Sequence, residues 1–94
     1  FNIDGKRQLP VEILLYAIVK EKGDTDNVDY DTLQLIGNVF CINDMELINM
    51  LMALQVKFPS IFRYTDTAGL RQVHFLKSLK PNEVLKYYYR NEEL

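Results

Sequence analysis

The side chains best placed for chemistry are cations in the second half of the chain: Lys57, Arg63, Arg71, Lys77 and Lys80. Arg63 and Arg71 flank the turn residues Asp66-Thr67-Ala68-Gly69 within FRYTDTAGLRQVHF, residues 62–75. Basic side chains on the rim of a hairpin suit contact with phosphate oxygens of a nucleic-acid backbone, which position a protein without reading sequence. Arg71 also has a structural reading. With Thr65 opposite Leu70 across a four-residue loop, it faces Tyr64 and packs on that ring as a cation–π pair. For Arg63 both readings stand.

The charge distribution permits such a patch. Net charge is −2, yet residues 1–56 hold four basic side chains (Lys6, Arg7, Lys20, Lys22) against nine acidic ones. Residues 57–94 hold seven basic against four acidic, so the second half is locally cationic.

Other chemistries find little here. The single cysteine, Cys41, can form no internal disulfide and reads as a small core hydrophobe. The single histidine, His74, lies inside the second run of the hairpin, with no partner for metal or nucleophilic catalysis. Asp24, Asp26, Asp29 and Asp31 suggest calcium, but the central Gly and distal Glu of an EF-hand loop are missing. A solvated turn with helix caps explains them better. The expectation is a non-enzymatic protein with no catalytic residue, metal or cofactor.

The elements that must position these residues follow from periodicity. Residues 10–22 predict a helix with Pro10 at its start, Gly23 at its end and Val11, Leu14, Leu15 and Ile18 on its inner face. Lys20 and Lys22 sit at the end where the helix dipole favours cations. Val28-Asp29-Tyr30 predicts a short strand, and Asp29 or Asp31 caps a second helix that stops at Gly37 or Asn38. Asn43 and Glu46 form a capping-box pattern, with Ile42 and Leu47 as its staple, opening a third helix over residues 44–56. In the hairpin, Phe62, Tyr64, Val73 and Phe75 share one face; Arg63, Thr65, Gln72 and His74 share the other. Lys80-Pro81-Asn82-Glu83 opens a last helix with Val84, Leu85 and Tyr88 inward.

This order predicts an α+β, mostly helical fold: a winged helix-turn-helix of three helices plus a β-hairpin wing, with an extra C-terminal helix. Residues 1–94 read as one such domain, cut from a longer chain because Phe1 is neither an initiator Met nor part of a leader. No apolar run is long enough for a membrane span, and the expected location is the cytoplasm.

The third helix argues against sequence readout. With Leu47, Ile48, Leu51, Leu54 and Val56 inward, Glu46, Asn49, Met50, Ala53 and Lys57 face outward. Only Asn49 and Lys57 are types that contact DNA, and Asp44 and Glu46 repel phosphates. The same strip suits a protein contact, although Met50 reads equally well as covered by the last helix. Tyr87-Tyr88-Tyr89 covers most of a helix circumference, so one ring must face out; Tyr87 and Tyr89 join Met50, Ala53 and Asn49 as partner-binding candidates.

The motifs GNVFCIND (residues 37–44) and DTAGLRQ (residues 66–72), with Pro81 and Tyr87-Tyr88, resemble the C-terminal region of an uncharacterised bacterial family of unknown function. Its members are often encoded near DNA-phosphorothioation and phage-defence genes. The resemblance spans roughly residues 10–89 and brings no catalytic residues. Cys41 and Asn43 depart from its pattern, against nucleic-acid binding by the connector. The resemblance implies a bacterial cytoplasmic protein with a winged-helix-like C-terminal part. The cationic edge, with that fold and gene setting, leads to the expectation of weak, sequence-independent contact with duplex DNA through the wing edge. The alternative is a module that docks on a protein partner, on the rest of its own chain or on a second copy, without DNA.

Overall fold

The computed structural model describes residues 9–94; Lys6 and Arg7, counted among the cations above, lie outside the described residues. The order is α1 (Val11–Lys22), β1 (Asn27–Asp29), α2 (Tyr30–Val39), α3 (Asp44–Lys57), β2 (Phe62–Thr67), β3 (Leu70–Phe75) and α4 (Pro81–Arg90). The strands form one antiparallel sheet in the order β1-β3-β2. The architecture is mixed α+β, with helices predominating, as the periodicity predicts. Among the described residues no single helix is long and apolar enough to cross a membrane.

Helix α1 buries Leu14, Leu15, Ile18 and Val19, and Gly23 ends it with φ 57°. Pro10 caps the helix from outside rather than opening it. Lys22 is buried at this end; its ammonium donates to the Gly23 carbonyl at 3.2 Å and stands 5.3 Å from the Phe75 ring centroid.

Asp29 caps α2, accepting from the Thr32 N–H at 2.9 Å. Hydrogen bonds from the Thr32 side chain and backbone hold its carboxyl below the ordinary aspartate value. The expected stop at Gly37 or Asn38 is not where the helix ends. It runs to Val39 and is closed by Cys41 in the left-handed region, φ 59°. The Cys41 N–H donates to the Asn38 carbonyl at 3.1 Å and the Ile42 N–H to the Gly37 carbonyl at 3.0 Å. That pair of bonds is a Schellman closure. It turns Cys41 outward, so this residue is exposed and not the core hydrophobe expected.

Residues 40–43 join α2 to α3, and the chain turns by 109° between the two helix axes. The capping box opens α3 as expected. Asn43 Oδ1 accepts from the Glu46 N–H at 2.8 Å, and Glu46 Oε1 accepts from the Asn43 N–H at 3.0 Å. Leu47, Leu51 and Leu54 line the buried side. Val56, expected inward, is 80% exposed. It follows Leu47 by nine residues, which at 3.6 per turn rotates it about 180° away from the core.

The hairpin pairs Thr67 with Leu70 and Asp66 with Arg71, leaving a loop of Ala68 and Gly69 alone. Gly69 supplies the positive φ, 81°, that the turn requires. The four-residue loop predicted from sequence is therefore too long by two. A two-residue slip leaves both faces intact, because side chains alternate with period two. Phe62, Tyr64, Val73 and Phe75 share the inner face, and Phe62 meets Phe75 edge-on at 5.5 Å. What the slip changes is the partner of Arg71: Asp66 replaces Tyr64.

Helix α3 also ties down the free edge of β2. The Tyr64 N–H donates to Gln55 Oε1 at 2.7 Å and the Phe62 N–H to the Phe58 carbonyl at 3.0 Å. Helix α4 rests on α1, with Val84 buried and Tyr87 packed edge-on against Phe58 at 5.3 Å. Tyr88, expected inward, is exposed, and Tyr87 takes the inner position.

Candidate functional site

Most of the cations predicted to form a phosphate-contacting edge are engaged within the chain. Arg71 Nε donates to Asp66 Oδ1 at 3.0 Å, and its guanidinium stands 5.2 Å from the Tyr30 ring centroid. The hydrogen bond and charge of Asp66 push the Arg71 pKa further up. The cation–π partner is thus Tyr30 rather than Tyr64. The Lys57 ammonium donates to Glu12 on α1, which raises its pKa, and lies 5.8 Å from both the Phe58 and Tyr87 ring centroids. Lys77 donates to the Leu94 carbonyl. Lys80 is exposed at the start of α4, its backbone N–H bound to Glu83 Oε1 at 2.8 Å. Arg63 is exposed on the outer sheet face opposite His74, and among the described residues it has no ion-pair partner.

Of the partner-binding candidates, Asn49 and Ala53 are exposed on α3 and Tyr89 is 72% exposed on α4. Met50 is half-buried against the core, and Tyr87 is held against Phe58. Neither of these two is a free contact residue.

Three residues that the sequence reading did not place outward complete a continuous strip. Met45 is 72% exposed, Met52 52% and Val56 80%. With Asn49 between them, they follow one another at spacings of four, three and four, which is one face of a helix. Ala53 borders the strip. All of them lie on the side of α3 opposite Leu47, Leu51 and Leu54. The signal was present in the spacing from Leu47. The strip holds no cation, while Asp44 and Glu46 sit at one end of α3 and Lys57 at the other. On α2, Leu35 and Val39 are exposed as well.

A cleft of about 600 Å³ lies between the hairpin tip and the start of α2, lined by Asp29, Tyr30, Asp31, Asp66, Leu70 and Arg71 among others. Two of its carboxylates are occupied, Asp29 in capping α2 and Asp66 in holding Arg71. Among the described residues no three His, Cys, Asp or Glu side chains gather where they could hold a metal ion.

Neither the curated proteins nor the solved structures contain a match to this chain. The family described as "Protein of unknown function (DUF4007)" matches residues 1–89, and the chain belongs to that family.

Proposed function

We propose that this chain is a non-enzymatic interaction module of winged-helix type that docks on protein through the outward face of α3. The observation that carries the reading is the strip Met45, Asn49, Met52 and Val56, apolar but for one amide and without a cation. A helix that reads bases carries donors such as Arg, Lys, Asn and Gln there. Support for the winged-helix type comes from the 109° turn between α2 and α3 on a four-residue connector, within the range of helix-turn-helix units, with the hairpin beside α3. The proposed setting, a bacterial cytoplasmic protein of DNA modification or phage defence, rests on the resemblance carried by residues 37–44 and 66–72.

The test is a photo-crosslinking side chain in place of Asn49, activated in the native host. Covalent products with protein, this chain included, support the reading. Products with nucleic acid, or none, overturn it.

Arg63 favours a second reading, weak sequence-independent contact with duplex DNA, because its side chain is exposed and, among the described residues, pairs with no carboxylate. Lys80 lies exposed beyond the hairpin, whereas Arg71, Lys57 and Lys77 could take part only by giving up their present partners. Titration of a labelled duplex at low salt separates the readings. DNA contact requires binding by about 100 μM that weakens as salt rises and is lost in Arg63→Ala; a flat titration excludes it.

A further inference from the structure

Resting on the protein-docking reading, we propose that the occupant of the α3 face is a second copy of this chain, packed antiparallel about a twofold axis. Positions 45, 49, 52 and 56 alternate at four and three residues, the spacing of a two-helix seam. The seam is about 16 Å long at 1.5 Å per residue, and it begins and ends on apolar side chains. Turned antiparallel and centred between residues 50 and 51, it sets Met45 against Val56 of the second copy and Asn49 against Met52 of the second copy. A lone Asn in such a seam fixes register at some loss of affinity.

Charge selects this orientation. Glu46 and Lys57 are eleven residues apart, three turns plus about 20°, so both lie on one flank of the strip. A twofold axis keeps like flank against like flank while exchanging the ends. Glu46 of each copy therefore stands beside Lys57 of the other. The Lys57 side chain keeps 42% of its surface exposed while paired with Glu12, leaving room for a second carboxylate. A parallel arrangement would instead set the flank of Glu46 and Lys57 on opposite sides of the seam in the two copies, so that neither would meet its opposite charge. Antiparallel helix dipoles favour the same choice. One helix pair buries less than the roughly 800 Å² per partner of a standard interface, so the dimer is weak, with a dissociation constant on the order of 10–100 μM.

Sedimentation velocity of the 94-residue chain from about 1 μM to about 1 mM spans that range. The expected result is a concentration-dependent shift from monomer to dimer, with the midpoint raised at least tenfold in Met52→Glu. Met52 is exposed, so the thermal melt of this variant should match the parent. In a Cys41→Ser background, Met45→Cys mixed with Val56→Cys should form a disulfide, and Met45→Cys alone should not. A monomer throughout overturns the proposal, as does a dimer indifferent to Met52→Glu or a Met45→Cys chain that cross-links to itself. If the chain is monomeric while a photo-crosslinker at position 49 still captures another protein, self-association falls and the docking reading survives.

Discussion

Tyr64 and Arg71 sit two positions apart on the inner face of the hairpin, and the carboxylate of Asp66 governs both. It accepts from Arg71 Nε at 3.0 Å and from the Tyr64 hydroxyl at 3.3 Å. Burial first, then the charge of Asp66 and its hydrogen bond, push the Tyr64 phenol from 10.0 to about 12. The consequence for stability has a definite sign. The unfolded chain releases this proton near pH 10, whereas the folded chain holds it until about 12. Stability contributed here is complete below pH 10 and is lost as pH climbs through that window. A tyrosinate absorbance titration of the native chain should contain a component near pH 12 that disappears in Tyr64→Phe. Titration of every tyrosine near 10 would show the assignment to be wrong. That Arg71 stacks on an aromatic was legible in the sequence, since the face was right. Which ring it meets was not, because the pairing register depends on a two-residue turn that the motif DTAG does not specify by itself.

At the scale of elements, the connector between α2 and α3 was the least legible part. Glycine is the usual left-handed closing residue, so Gly37 invited an early stop. The helix instead uses Gly37 inside its last turn, where an added Cβ would lie 3.5 Å from Ile42 Cγ1 and 3.5 Å from Leu47 Cδ2. Those are ordinary contact distances. Gly37→Ala should therefore remove a helix-interior glycine without a clash and stabilise by about 0.5–1 kcal/mol. Thermal melting should show a rise of a few degrees, at roughly 4–8 °C per kcal/mol for a domain of this size. The closing role has passed to Cys41, whose side chain makes the left-handed backbone cost about 1 kcal/mol. Cys41→Gly should recover a good part of this and also raise the melting temperature. A fall in either variant would mean that the α2–α3 corner is held by something other than the Schellman closure. By contrast, the capping box of α3 was fully readable from Asn43 and Glu46, because its two bonds join residues three apart and need no tertiary partner. The outward face of α3 was half readable: Asn49 and Ala53 were placed, while Val56 was turned the wrong way by treating the helix end as core.

At the scale of the molecule, helices and hairpin share one core, and this sharing decides how damage spreads. Leu14, Leu15 and Ile18 of α1, Leu47, Leu51 and Leu54 of α3, and Phe62 and Phe75 of the sheet belong to a single buried cluster, none above 2% exposure. The apolar periodicity of each element was legible alone. Their convergence was not, since nothing local says which stripe meets which. Phe62 is the test of that convergence. It is fully buried, meets Phe75 edge-on at 86°, and its backbone N–H is held by the Phe58 carbonyl at the end of α3. Truncating a buried phenylalanine costs about 3–5 kcal/mol. A chain of 94 residues has on the order of 5–14 kcal/mol in total, at roughly 0.05–0.15 per residue. Phe62→Ala should therefore lower the melting temperature by more than about 12 °C, or abolish cooperative unfolding, with helical circular dichroism lost in the same transition as the hairpin. Arg63→Ala, one residue on and facing outward, should stay within about 0.5 kcal/mol of the parent. If Phe62→Ala instead frees the hairpin while the helices melt as before, the two halves do not share a core. The α3 face would then have to be judged on a helical bundle alone, without the β2 edge that Gln55 and Phe58 now anchor beside it.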